Sequence, residues 1–126
     1  SMIASDGLPH DHHPHPRLWG TFPRVLGMYS REQNLISLED AVHRMSGKPA
    51  SVFGLTGRGE LAAGNFADLV IFDPNTVIDK ADFENPIEPA AGIDAVFVNG
   101  QAVYRDGAST GARPGNALKR QSNFGR

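Results

Sequence analysis

Near its start the chain reads "MIASDGLPHDHHPHPRLWG", which sets His10, His12, His13 and His15 beside Asp6, Asp11 and Arg17, directly after a short apolar run. Imidazoles are ligands for zinc or nickel, a carboxylate carries protons, and a guanidinium can clamp a carboxylate. The stretch is therefore a metal centre, a polar loop, or one wall of an active site. A built zinc site needs its ligands on rigid elements, with each ring oriented by an outer hydrogen bond. Histidines interrupted by Pro14 and followed by Pro16 do not supply that alone. The composition favours a polar loop with adventitious metal affinity, which leaves His10 or His15 to face a substrate. Asp6 is a different case. A carboxylate at the end of a short buried strand, followed by Gly7, stands where barrel enzymes place catalytic groups. There it could take the proton of a water whose pKa a metal has lowered. On chemistry alone, Asp6-Gly7 still reads first as a turn.

No other constellation competes. There is no Gly-rich phosphate loop of the Walker type and no G-x-S-x-G elbow. Ser5, Ser30 and Ser37 have no partnered base, and the latter two are better used as helix caps. Asp68 and Asp73 flank an apolar strand and end it. Arg17 and Arg24 sit among aromatic residues, where each could clamp a carboxylate or simply cover apolar surface. His43, one residue after Val42, reads as a solvated or boundary histidine.

These groups need elements to hold them. From Leu8 to Gly27 the proline and glycine density predicts a loop and excludes a long helix. Trp19, Phe22, Val25 and Leu26 would anchor it. Met2–Ser5 reads as the end of a buried strand. Ser30-Arg-Glu-Gln33 and Ser37-Leu-Glu-Asp40 each place a hydroxyl at an N-cap with an acceptor side chain three residues on. In the second, Leu38, Ala41, Val42 and Met45 form one apolar face, with Gly47 as the expected stop. Pro49 suits the first turn of a further short helix closed by Gly54. The run Leu69-Val-Ile-Phe72 reads as a buried strand. "DAVFVNGQAVYRDG" reads as two strands joined by the Asn99-Gly100 dipeptide that a type I′ turn prefers.

Bulk composition narrows the partners. With 126 residues there is room for one domain core. Twelve basic against 14 acidic residues, a net charge of −2 with no basic block, argue against nucleic acid. No apolar run approaches the roughly 18 residues of a membrane span. The absence of cysteine removes thiol chemistry and cysteine zinc sites, and fits a cytoplasmic protein.

Taken together, "SDGLPHDHHPHPRLWGTFPRVLGMY", "SLEDAVHRMSGKPASVFGL", "RGELAAGNFADLVIFDPNTVIDKADFENP" and "GIDAVFVNGQAVYRDGASTGARPGNALKR" resemble the C-terminal portion of N-acyl-D-amino-acid deacylases, the D-aminoacylases of the amidohydrolase superfamily. The "ADLVIFD" and "VFVNG" portions specify the superfamily, and the "SDG-PH…PHPR-WGTFPR" portion specifies the deacylases. The resemblance implies an α+β fragment. Residues 1–54 would be the last strand, active-site loop and helices of a (β/α)8 barrel. Residues 55–118 would be part of the small β-sandwich, and 119–126 a flexible tail. It implies a zinc-dependent parent enzyme that hydrolyses N-acyl-D-amino acids, with Asp6 as catalytic base at the metal and His10, His15 and Arg17 near the substrate. Most metal ligands would lie outside this chain, since a complete barrel takes about 250 residues. The chain alone is then expected to be inactive and, with its sheet edges unpaired, to form a homo-oligomer. Two other readings stay open: a non-catalytic β-rich interaction module, and an amidohydrolase acting on a cyclic amide.

Overall fold

Pro16 presets a helical φ of −53° and releases the chain into α1, Arg17–Arg24. The computed structural model describes residues 1–121; part of the expected tail, 122–126, lies outside them. The expectation of a loop through Gly27 is overturned, because helix continues without a break from Arg17 to Glu32. Pro23 lies inside α1. It has no N–H to return to Trp19, and its ring crowds the preceding turn. Immediately past it, Val25–Glu32 adopts the wider π-helical ladder. Burial holds this segment together where propensity would not, since Val25 and Leu26 are both inside. Ser30 is consequently a buried residue within the π-helix and starts no helix of its own.

The described residues form two compact units that interleave along the sequence. The first combines Ser1–Met45 with Asp73–Gly92. Residues 1–8 have no regular structure, so the strand expected at Met2–Ser5 is not formed. A strand exists only through pairing, and here the Ile3 N–H finds the Arg44 carbonyl at 3.1 Å. Helix α2, Leu38–Met45, begins as its sequence predicts: Ser37 Oγ accepts the Asp40 N–H at 3.1 Å. Ala41 is fully buried on its apolar face.

The segment Asp73–Gly92 closes on itself at its neck. Asp73 N–H donates to the Gly92 carbonyl at 2.9 Å, and Ile78 and Ala91 exchange both of their backbone hydrogen bonds. Val77, with no exposed surface, is the plug of this unit. Gly92 makes that possible. Its φ is +79°, and a Cβ there would stand 2.5 Å from the Val77 nitrogen. Arg31 ties the π-helix to the same segment, donating to the carbonyls of Val77 at 2.7 Å and Pro74 at 3.2 Å.

The second unit comprises, among the described residues, Ser46–Phe72 and 93–121. Gly47 does not stop α2 as expected. The break falls at Ser46 (φ −134°, ψ −80°), and Gly47 opens α3, Gly47–Phe53. Gly54 ends α3 in the left-handed region, and Leu55 N–H returns to the Ala50 carbonyl at 2.9 Å. Strands β1 (Leu69–Phe72), β2 (Ile93–Val98), β3 (Gln101–Arg105) and β4 (Ala108–Ser109) form one antiparallel sheet in chain order. Asn99 and Gly100, both at positive φ, make the two-residue β2–β3 turn. Asp106-Gly107 repeats the device between β3 and β4. Strand β1 forms where the apolar run predicts it, but it is not buried. As an edge strand it leaves Val70 and Ile71 about half exposed.

Asp68 fastens the hairpin turn. Its carboxylate accepts the Asn99 N–H at 2.8 Å and pairs with Arg58, whose guanidinium lies 4.0 Å over the Phe66 ring. Burial pushes the Asp68 carboxyl up, but the Asn99 N–H and the Arg58 charge outweigh it and hold the group below the ordinary carboxylate value. A carboxyl with a lowered folded pKa stabilises the fold above its unfolded pKa. That contribution is lost as pH falls through the folded value. Asp68→Asn should therefore cost roughly 1 kcal/mol at pH 6, and converge on the parent as the solution is acidified below the folded pKa. Urea unfolding midpoints at several pH values check this; a constant difference at every pH would exclude Asp68 as the titrating group.

Candidate functional site

Asp6 lies one residue before a close approach of the backbone to α1. A Cβ on Gly7 would stand 2.7 Å from Leu18 Cδ1 and 3.0 Å from Leu18 Cα, so the backbone here lies close against the helix and a side chain would force Leu18 to shift. Asp6 itself has φ +51°, a conformation uncommon for a residue with a side chain. Its carboxylate is 86% exposed and stands 3.4 Å from Arg17 Nη2. Such an open pair contributes little stability, so either partner can be drawn to another group at small cost. Arg17 keeps a donor in reserve: its Nε is buried and, among the described residues, has no hydrogen-bond partner.

The histidines divide into two sets. His10 and His12 are exposed on the turn, together with Asp11. His13 and His15 are engaged. His13 Nε2 donates to the Phe83 carbonyl at 3.0 Å. His15 Nδ1 accepts the Arg17 N–H at 3.0 Å, and its ring meets Phe83 edge-on, centroids 5.0 Å apart. His43 on α2 is exposed. Among the described residues no three His, Cys, Asp or Glu side chains converge as a metal-holding group. Asp6 is thus an oxygen donor of the right kind for zinc, but one donor is not a site.

Beside Arg17 lies a cavity of about 390 Å³ between α1 and the stretch Asp79–Phe83. Its rim includes His15, Thr21 and Arg24. Arg24 bonds to Asp79 at 3.1 Å, and the carboxylate is only 10% exposed. Hydrogen bonding to Tyr29 and then to Asp79 raises the Arg24 pKa further, so its charge is permanent. Arg17 thus joins Asp6 and His15, while among the described residues no hydrogen bond or ion pair ties His10 to them. Sequence reasoning did not pick out Asp79 or Phe83. Neither belongs to a motif, and the one available signal is that Asp79 directly follows the apolar pair Val77-Ile78.

Residues 2–104 match the Amidohydrolase family. A D-aminoacylase of Alcaligenes xylosoxydans xylosoxydans is 61% identical over 120 residues, which is 95% of this chain and 25% of that protein. A solved D-aminoacylase structure concerned with the functional role of its binuclear metal centre superposes with a TM-score of 0.93 at 60% identity, over 94% of this chain and 25% of the other. An N-acyl-D-glutamate deacylase from Bordetella bronchiseptica, complexed with zinc and a phosphonate that mimics the tetrahedral intermediate, gives a TM-score of 0.81 at 52% identity, over 85% and 23% of the two chains. The chain spans about a quarter of the length of the relatives it matches. A match over residues 2–104, carried by both sequence and fold, makes this chain a member of the amidohydrolase family.

Proposed function

We propose that this chain is the C-terminal quarter of a zinc-dependent hydrolase that cleaves N-acyl-D-amino acids into a carboxylate and a D-amino acid. The observation that carries the reading is the Asp6–Arg17 pair: an open carboxylate and a guanidinium with a spare donor, in a chain 61% identical to a D-aminoacylase. In this reading residues 1–54 complete a (β/α)8 barrel and residues 55–118 form part of the small β-sandwich. Met2–Ser5 would become a strand only against neighbours from the rest of the protein. Cytoplasmic placement remains part of the proposal; among the described residues no helix is long and apolar enough to cross a membrane.

Each residue has a chemical task. Zinc, when bound, supplies Lewis-acid activation of the attacking water and of the amide carbonyl. Asp6 is the one residue of this chain assigned to the metal. Its carboxylate oxygen takes the proton from the attacking water and returns it to the departing amine nitrogen, as a general base and then a general acid. Its exposure leaves both oxygens accessible for that exchange. Arg17 meets the substrate's α-carboxylate with its partly exposed guanidinium. His10 and His15 border the same loop.

In the complete protein Asp6→Asn should cut kcat by at least about a hundredfold with little change in thermal unfolding, because Asn keeps the size but cannot accept the proton. Turnover close to the parent's would leave Asp6 as a turn residue. The isolated 126-residue chain should not hydrolyse N-acetyl-D-amino acids with or without zinc, since Asp6 alone cannot hold the metal. Saturable, chelator-sensitive turnover by the purified chain would overturn that. The isolated chain should also self-associate, through the open edge of β1 with its half-exposed Val70 and Ile71. Sedimentation over a wide concentration range is the check, and a monomer throughout would refute it.

A further inference from the structure

An α-helix leaves its first N–H groups without acceptors, and a Ser, Thr, Asp or Asn at the N-cap normally takes one of them. Helix α1 has Pro16 there, which makes no side-chain cap bond. The duty passes to the residue before it. The His15 carbonyl accepts the Leu18 N–H at 3.0 Å, and His15 Nδ1 accepts the Arg17 N–H at 3.0 Å. That second bond requires an unprotonated Nδ1, with the ring hydrogen on Nε2. The ring also meets Phe83 edge-on, with centroids 5.0 Å apart and planes at 82°. Phe83 is itself held, because its carbonyl accepts from His13 Nε2 at 3.0 Å. Two histidines of the loop thus grip one aromatic residue of the Asp73–Gly92 segment, one at its ring and one at its backbone.

We propose that His15 is a positioning residue. It acts through the backbone N–H of Arg17, fixes the start of α1 and so holds the guanidinium beside Asp6, with Phe83 as its buttress. It does not work by touching substrate. This deepens the reading of Arg17 as the carboxylate anchor and rests on it. Two features separate the role from that of an ordinary surface histidine. The nitrogen nearer the backbone is already occupied by the residue it serves, and His13 and His15 both contact Phe83, a residue distant in sequence.

The test uses the complete, metal-loaded enzyme and two substitutions that separate acceptor from ring. His15→Asn keeps an acceptor able to reach the N–H two residues on, whereas His15→Phe keeps the ring against Phe83 and loses the acceptor. His15→Phe should raise KM about tenfold with a much smaller change in kcat, and His15→Asn should recover most of that loss. In an Arg17→Ala background His15→Phe should add nothing, because the two residues act as one unit. Hydrogen exchange at the Arg17 amide gives a readout independent of turnover: protection should fall in His15→Phe and return in His15→Asn. The proposal is overturned if Asn behaves like Phe, if the Phe penalty persists undiminished without Arg17, or if Arg17 amide protection is the same in all variants. An Arg17→Ala enzyme with unchanged KM would instead sink the substrate reading, while amide exchange would still decide what His15 does.

Discussion

Everything chemical in this chain depends on how the first turn of α1 satisfies its backbone donors. Pro16 sets the helical φ and its carbonyl takes the N–H groups of Trp19 and Gly20, but it brings no side-chain acceptor, so the N–H of Arg17 must find one elsewhere. His15 provides it, through Nδ1 at 3.0 Å. The imidazole is turned toward Phe83, and the Arg17 side chain leaves the helix start toward Asp6. Gly7 completes the arrangement from the other side, because a methyl group there would collide with Leu18 and push Asp6 away.

The partner segment must be firm if it is to brace anything, and its interior explains why it is. Val77 is sealed from solvent, Gly92 admits it at the neck, and Arg31 reaches across from the π-helix to the carbonyls of Pro74 and of Val77 itself. The Arg24–Asp79 pair contributes placement more than energy, since its guanidinium is 45% exposed and screened by water. A long connection between strands, with little regular structure of its own, thereby becomes a supporting wall.

The second unit follows a separate logic. Its hairpin turn is specified locally by Asn99-Gly100 and then fastened by Asp68, which takes the Asn99 N–H with one oxygen and Arg58 with the other. The Asn99 side chain reaches on to the Pro114 carbonyl at 2.7 Å, carrying the chain past β4 back along the hairpin. Hydrogen bonds directed at one turn thus hold the end of the β2–β3 ladder where Val98 pairs with Gln101.

Local chemistry was legible in the sequence wherever the deciding forces act over a few residues. Ser37 caps α2, Gly54 ends α3, Leu69–Phe72 is a strand and Asn99-Gly100 is a hairpin turn. In each case a steric preference or a nearby donor suffices. The deacylase resemblance was readable too, because it lies in the ordered residue types around Asp6 and Arg17. Other features needed the folded chain. Helix through Pro23 runs against local propensity and exists because burying Val25 and Leu26 outweighs the lost hydrogen bond. Met2–Ser5 has an apolar pattern but no strand to pair with, and pairing is a property of neighbours in space. Asp79 and Phe83 carry no motif, since what matters about them is the arginine and the histidines they meet, 55 to 70 positions away. Sequence therefore determined which groups are available and how each short element starts and stops. Tertiary structure alone decided which of them touch, because burial and pairing energies come from residues that the chain brings together only after it has folded.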